Sequence, residues 1–396
     1  MSLALRPAAW WLNRGFTARI RNYASDQEAL RLRYDVKPDT PIAGYQGETQ
    51  ARIEALAAES PNSFFAATSG STREPKQILF TRERVSRFKH QSRQAGICTF
   101  AHFRVSRADL FIMGSLKTDD SFTSLVLGDG QKKTGYITGL TDPTRYLRHE
   151  PLSGFVQSHG ALATRFWLMV ACNVGLIYST NPSTLAVFLA DVSAEWGSAR
   201  ALIVDFIKGG DEVQPLHALV KRVGSRGHHE RMTAIANAPE ALPILECLPA
   251  LEAYCCWDGG YVGTFLESVR RHLPPERVTH IPMYSMSTET VQTLPYSRQG
   301  RLHFLPIAED VLYEFLPADS PDDPAALLLP NALQPGESYA MVVSDPYGLV
   351  RYQTEDLFRC TQMIDGLPDL RFERRRGLTF SFTGEKLTGE QLTLAF

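Results

Sequence analysis

Near Arg301 the sequence changes character, and that change limits what the chain can fold into. From there on, Leu302–Phe304, Val311–Phe315, Tyr339–Val343, Leu349–Tyr352, Leu357–Thr361 and Leu370–Phe372 are short strand-like runs divided by Pro, Gly and Asp. Before it, helical and strand-like stretches mix. Arg82 to Phe100 has helical character, with Val85, Phe88 and Ile97 set among charges. Leu162 to Cys172 reads as a buried helix and Gly175 to Tyr178 as a short strand. Asn181-Pro182-Ser183-Thr184 opens a helix with a capping residue and a first-turn proline, running to about Trp196. Another helix runs from Ala199 to Lys208 and stops at Gly209-Gly210. Val278 to Tyr284 reads as a strand. The fold class this implies is α/β: sheets flanked by helices, with β-structure dominant in the last hundred residues. Ala325 to Pro335 is the expected disordered loop, and Met1 to Leu12, with Trp10 and Trp11, an amphipathic segment packed on the body.

With 396 residues, 44% hydrophobic and 21% charged, the composition is that of a soluble globular protein. A net charge of -2 argues against a dedicated nucleic-acid binder. No apolar run reaches the length of a membrane span, and the N-terminus is a poor signal peptide. The six cysteines form no CxxC pair and have no histidines at zinc spacing, so they read as reduced thiols of a cytoplasmic protein. His228-His229 reads as a solvated loop pair rather than a metal site.

Thr68-Ser69-Gly70-Ser71-Thr72-Arg73-Glu74-Pro75-Lys76 follows the apolar run Phe64-Phe65-Ala66-Ala67 and precedes a second strand from Gln77 to Thr81. Hydroxyls and backbone N–H groups there could donate to phosphate oxygens, Gly70 would admit close approach, and Lys76 adds a point charge. It is not a Walker A loop, and a polar hairpin turn is the alternative reading. Three more polar turns stand beside it. Trp257-Asp258-Gly259-Gly260 could lay bare backbone against a flat ligand, or simply start a helix. Tyr284 to Glu289 ends a strand and places a threonine next to a carboxylate, which suits phosphate and Mg2+, or is a plain strand-end turn. Arg351-Tyr352-Gln353-Thr354-Glu355-Asp356 sets a carboxylate where it could accept from ribose hydroxyls, or is a charged surface hairpin.

Together these segments resemble the adenylate-forming superfamily. TSGSTREPK fits its phosphate loop with Arg73 in place of a glycine. Thr40-Pro41-Ile42 with Tyr45, Asn181-Pro182-Ser183 with Trp196 and Asp205, and Leu305-Pro306 followed by Tyr313-Glu314-Phe315 are similar to the acyl acid amido synthetases, the auxin-conjugating family and its bacterial relatives. Gly348 to Tyr352 ahead of Asp356, Arg371-Phe372 and Gly384 to Leu387 continue the resemblance, which covers roughly residues 25 to 392.

The resemblance implies roles. Thr68, Ser69, Gly70, Ser71, Thr72 and Lys76 would hold the phosphates, Gly259 and Gly260 border the adenine, and Tyr284 stack on it. Thr288 would touch the α-phosphate, Glu289 hold Mg2+, and Asp356 bind the ribose, with Arg375 as the family arginine in the following strand. Residues 1–386 would be the large adenylation domain, with 301–386 mostly its small distorted β-barrel, Lys386 at the hinge, 387–396 a hinge remnant and the small C-terminal domain absent. Gln353 and Glu355 depart from the Arg and Gly of the usual turn, and Met286 from the small residue usual there.

The activity implied is that of an ATP-dependent acid–amine ligase: a carboxylic acid becomes acyl-AMP with release of pyrophosphate, then passes to an amine such as an amino acid. ATP and Mg2+ would be required, and a partner protein could supply the absent domain. Leu110 to Lys117, Phe155 and Met283 to Met286 could line the acid pocket, or be core. The alternatives are an acyl-CoA or carrier-protein ligase, and a degenerate nucleotide-binding protein without turnover.

Overall fold

The computed structural model of the chain describes residues 2–67, 76–105, 110–113, 143–376, 379–382 and 385–388. The expected phosphate loop, 68–75, lies outside the described residues, as do 114–117 of the expected acid pocket.

The N-terminal segment is one long helix, α1 (Ser2–Arg33), not a short amphipathic piece. Its inner face buries Phe16, Ile20 and Tyr23, while Trp10 and Trp11 point outward, 60% and 74% exposed. Side-chain amides bind the helix to strand edges. Asn13 exchanges two 2.9 Å bonds with the Ser297 backbone, and Gln27 donates to the Val311 carbonyl at 3.0 Å and accepts from the Tyr313 N–H at 2.9 Å. After α2 (Glu48–Ala58), β1 (Phe64–Ala67) pairs antiparallel with β2 (Gln77–Phe80), Phe64 opposite Phe80. These two strands bracket 68–75. Helix α3 (Arg82–His102) follows at once, because the Thr81 hydroxyl caps it by accepting from the Arg84 N–H at 3.1 Å.

Strands β3 (Leu110–Ile112), β4 (Leu176–Tyr178), β5 (Ala253–Cys256) and β6 (Thr279–Pro282) form a parallel sheet in chain order. The period-two alternation sorts their side chains cleanly. Phe111, Ile177, Tyr254 and Cys256 face a core built with α4 (Leu152–Cys172), α5 (Pro182–Ala194) and the helices that follow. Leu110, Leu176, Ala253, Cys255 and Ile281 face the other way, onto Phe100 and Val105 near the end of α3. Burial on both faces explains why β3, β4 and β5 read as unbroken apolar runs, whereas β6 at the sheet edge carries the exposed Thr279. Asn181 caps α5 as expected, accepting from the Ser183 N–H at 2.9 Å. His228-His229 begin the helix His228–Asn237, correcting the loop reading.

The last third is antiparallel. β7 (Leu294–Arg298) and β8 (Arg301–Leu305) form a hairpin through Gln299 and Gly300, both at positive φ. β9 (Leu312–Pro317), β10 (Ser338–Ser344), β11 (Tyr352–Ile364) and β12 (Leu367–Arg375) form one sheet in that order. The runs expected separately at Leu349–Tyr352 and Leu357–Thr361 differ: Leu349 belongs to the preceding turn, and Tyr352 and Leu357 share β11. A bulge interrupts β11. Gln353 faces Val342 and Leu357 faces Ala340, so Thr354, Glu355 and Asp356 crowd opposite Met341 alone. The segment from Ala325 to Pro335 is held by the sheet rather than disordered: Leu328 and Phe315 exchange two backbone bonds, and Leu333 is buried. Beyond β12, β13 (Thr379–Phe382) pairs with β14 (Glu385–Thr388), Lys386 opposite Ser381.

Candidate functional site

Four chain segments meet at one polar cluster. Lys76 enters it from the start of β2, Glu289 from the turn between β6 and β7, Glu355 and Asp356 from the β11 bulge, and Arg375 from the end of β12. Tyr352, fully buried, sits at the centre. Lys76 Nζ donates to the Tyr352 hydroxyl at 2.9 Å, and that hydroxyl donates to Glu289 Oε1 at 3.4 Å. Burial first, then Glu289, Glu355 and Asp356, push the phenol well above its ordinary pKa, so it stays a proton donor. Lys76 Nζ and Arg375 Nη2 each lie 3.4 Å from Glu355 Oε2.

Asp356 is the most perturbed carboxyl of the cluster. Its pKa is pushed up to about 6, by burial first and by Glu289; Arg375, the Gln292 amide and Lys76 pull it down. Gln292 Nε2 donates to Asp356 Oδ2 at 2.5 Å, and Arg375 Nε lies 3.6 Å from Oδ1. Gln292 is itself oriented by the Ser285 hydroxyl, which donates to Oε1 at 2.6 Å. One Asp356 oxygen is therefore matched to an amide donor and the other to a cation, an arrangement that fixes both lone-pair directions.

Other expected site residues fall differently. Thr288 is half-buried in the same turn as Glu289. Tyr284, expected to stack on a base, is instead buried in the core beneath, with its hydroxyl donating to Ser92 Oγ at 2.9 Å. Gly259 and Gly260 press against β12. A Cβ on Gly259 would collide with the Phe372 carbonyl oxygen, and one on Gly260 would come 2.5 Å from the Glu373 carbonyl oxygen. Close strand approach thus accounts for both glycines without a ligand. Of the expected pocket residues, Leu110, Phe111 and Met283 are core. Burial pushes the Cys98, Cys247 and Cys256 thiols up to about 12, and all six cysteines are free and buried, so none is poised as a nucleophile.

Sequence reasoning missed Tyr352, Gln292 and Arg84 as site residues. Arg84 carries no linear signal, since a basic side chain in a helix's first turn runs against the dipole. In three dimensions it is 1% exposed and donates to the Leu79 carbonyl at 2.9 Å, to the Glu289 carbonyl, and toward Asp345 Oδ2 at 3.4 Å. It fixes the backbone of the residue whose carboxylate enters the cluster. Arg351 does comparable work at the other end. Its guanidinium forks onto Glu314 at 2.9 and 3.0 Å and donates to the carbonyls of Pro38 and Thr40 at 2.9 and 2.6 Å. Three separated sequence motifs, at Thr40, Glu314 and Arg351, are thus one buried tie beside Tyr352.

The profile of the GH3 family central domain matches residues 304–375, which span the antiparallel sheet with Glu314, Arg351, Tyr352, Asp356 and Arg375. Over that segment the chain is similar to the GH3 family. A jasmonoyl-L-amino acid synthetase, JAR4 of Nicotiana attenuata, is 28% identical over 148 residues, 37% of this chain and 21% of that synthetase. Among solved structures, the AtGH3.15 acyl acid amido synthetase in complex with 2,4-DB superposes with a TM-score of 0.72 at 14% identity, covering 98% of this chain and 74% of its own. The 2-hydroxyisobutyryl-CoA ligase in complex with 2-HIB-AMP gives a TM-score of 0.50 at 12% identity, covering 96% and 70%. These two likenesses establish the fold alone. Among the described residues no helix is long and apolar enough to cross a membrane.

Proposed function

We propose that this chain works as the GH3 acyl acid amido synthetases do: it binds ATP at the Lys76–Glu289–Asp356 cluster and activates a carboxylic acid as its acyl adenylate, releasing pyrophosphate, before an amine takes the acyl group. The observation that supports this reading is the convergence itself. A lysine, three carboxylates and an arginine from four distant segments share one network of hydrogen bonds and ion pairs.

The residues have the chemistry such a step needs. Attack of a carboxylate on the α-phosphate joins two anions, so the protein must align them and offset the charge as the new P–O bond forms and pyrophosphate leaves. Lys76 is held by Tyr352 at the rim of the cluster and would face the phosphates. Asp356 has paired, oriented oxygens that would accept from ribose hydroxyls. Thr288, half-buried beside Glu289, would touch the α-phosphate.

Mg2+ fits Glu289 as far as the donor set allows. The ion takes one or two carboxylates together with phosphate oxygens, and among the described residues no group of three metal-binding side chains exists to hold it by protein alone. Glu289 would therefore bind it with the nucleotide, where it supplies charge neutralisation.

ATP–pyrophosphate exchange, screened over a panel of carboxylic acids, tests the reading. Lys76→Ala and Glu289→Ala should each lower exchange at least about tenfold, the scale of losing one charge-stabilising contact. Exchange at the wild-type rate in either variant would refute it. Amines, coenzyme A and a carrier protein offered in parallel identify the acceptor.

A further inference from the structure

Glu355 occupies an unusual place in this cluster. Its backbone is left-handed, φ 65°, at the crown of the β11 bulge, and its carbonyl accepts from the Arg376 N–H at 2.6 Å. A residue with a Cβ is strained there, and glycine would not be. The conformation turns the carboxylate inward, between the cluster's two cations: Oε2 is 3.4 Å from Lys76 Nζ and 3.4 Å from Arg375 Nη2. Neither cation depends on it for position. Lys76 also donates to the Tyr352 hydroxyl, and Arg375 Nε faces Asp356. All three side chains are partly open to solvent, so an anion from outside can reach the same donors.

We propose that Glu355 is a built-in counter-anion that holds the place of nucleotide phosphate on Lys76 and Arg375 and must swing out before a polyphosphate can bind. The inference rests on the nucleotide reading above and adds its regulation. Carboxylate and phosphate oxygens seek the same charge-assisted N–H donors, and two anions cannot share them within contact distance without repulsion. Binding of the nucleoside part is untouched by this exchange, whereas binding of the phosphates carries the cost of expelling the carboxylate. The device makes affinity depend on the phosphate chain, and leaves the cations neutralised when no nucleotide is present.

The test is titration calorimetry on the full chain with ATP, inorganic tripolyphosphate and adenosine, comparing wild type with Glu355→Gln and Glu355→Gly. The first variant removes the charge at constant shape. The second also relieves the left-handed strain, so one of the two remains informative if the other folds poorly. ATP and tripolyphosphate should bind about fivefold tighter to both variants, the scale of a partly exposed ion pair, with adenosine unchanged. Equal or weaker ATP and tripolyphosphate binding in the variants would overturn the inference and make Glu355 a strut for Lys76. If neither wild type nor variants bind ATP or tripolyphosphate, the nucleotide reading itself fails, and this inference with it.

Discussion

Arg84→Met should cost the folded state about 3 kcal/mol at neutral pH. The wild-type guanidinium is 1% exposed, stacks 5.0 Å from the ring centres of Phe80 and Tyr347, and serves the carbonyls of Leu79 and Glu289 as well as Asp345. Methionine retains the apolar stem and its contact with the rings. What is lost is the partner of a buried carboxylate. Asp345 is 6% exposed and would keep the N–H groups of Tyr347 at 2.8 Å and Leu349 at 3.2 Å and the weaker pull of Arg87. Breaking a buried pair from one side costs about 3–5 kcal/mol, and the better filling by methionine puts the expectation at the lower end. The loss should depend on pH. Burial already raises the Asp345 pKa, with Arg84 and the two N–H groups pulling it down; without Arg84 it rises further. The folded variant then holds a proton that the unfolded chain releases near pH 4. Its stability therefore climbs as pH falls from neutral toward 4, and the gap to wild type narrows. Urea unfolding at pH 5, 7 and 8 measures this. Arg84→Met combined with Asp345→Asn should recover at least about 1.5 kcal/mol relative to the sum of the single changes. A loss below about 1 kcal/mol, equal at all three pH values and additive with Asp345→Asn, would refute the electrostatic account of this contact.

Four other substitutions test the same geometry. Asp356→Asn removes a carboxyl raised to about 6; its contribution to stability is largest below pH 4 and lost as pH rises through 6, so the variant should gain about 2 kcal/mol at pH 7.5 and little at pH 4, read by thermal unfolding against pH. Arg351→Met breaks the fork on buried Glu314 and leaves it Arg31 Nη2 at 3.2 Å, so it should cost about 2 kcal/mol, seen as a lowered urea midpoint at unchanged slope. Gly259→Ala drives a Cβ into the Phe372 carbonyl and should cost about 1–3 kcal/mol by overpacking, whereas Gly15→Ala, with open space around it on α1, should stabilise by about 0.5–1 kcal/mol in the same assay.

Local patterns carried most of the secondary structure, because caps, turn residues and apolar periodicity act over a few positions. Asn181 before Pro182, and Gly209 after Lys208, mark helix ends in the sequence and in space. Asp365-Gly366 joins β11 to β12 at two positive φ values, as the dipeptide suggests. Patterns were weaker where a distant partner decides. Ala325–Pro335 lacks any periodic signal, yet Leu328 is fixed by Phe315 in β9. Tyr284 lies in a polar turn by sequence, and Ser92 on α3 draws its hydroxyl into the core.

The sequence by itself determined the α/β class and the shift to β-structure near Arg301, since local periodicity needs no partner to be read, and its resemblance to a family singled out Lys76, Glu289, Asp356 and Arg375 as candidates. Only the tertiary structure decided that these four cluster around Tyr352, that Arg84 holds the Glu289 backbone, and that Glu355 lies between the two cations. Those facts depend on long-range strand register and on one bulge in β11, and a shift of a single residue there would turn Asp356 away from Gln292.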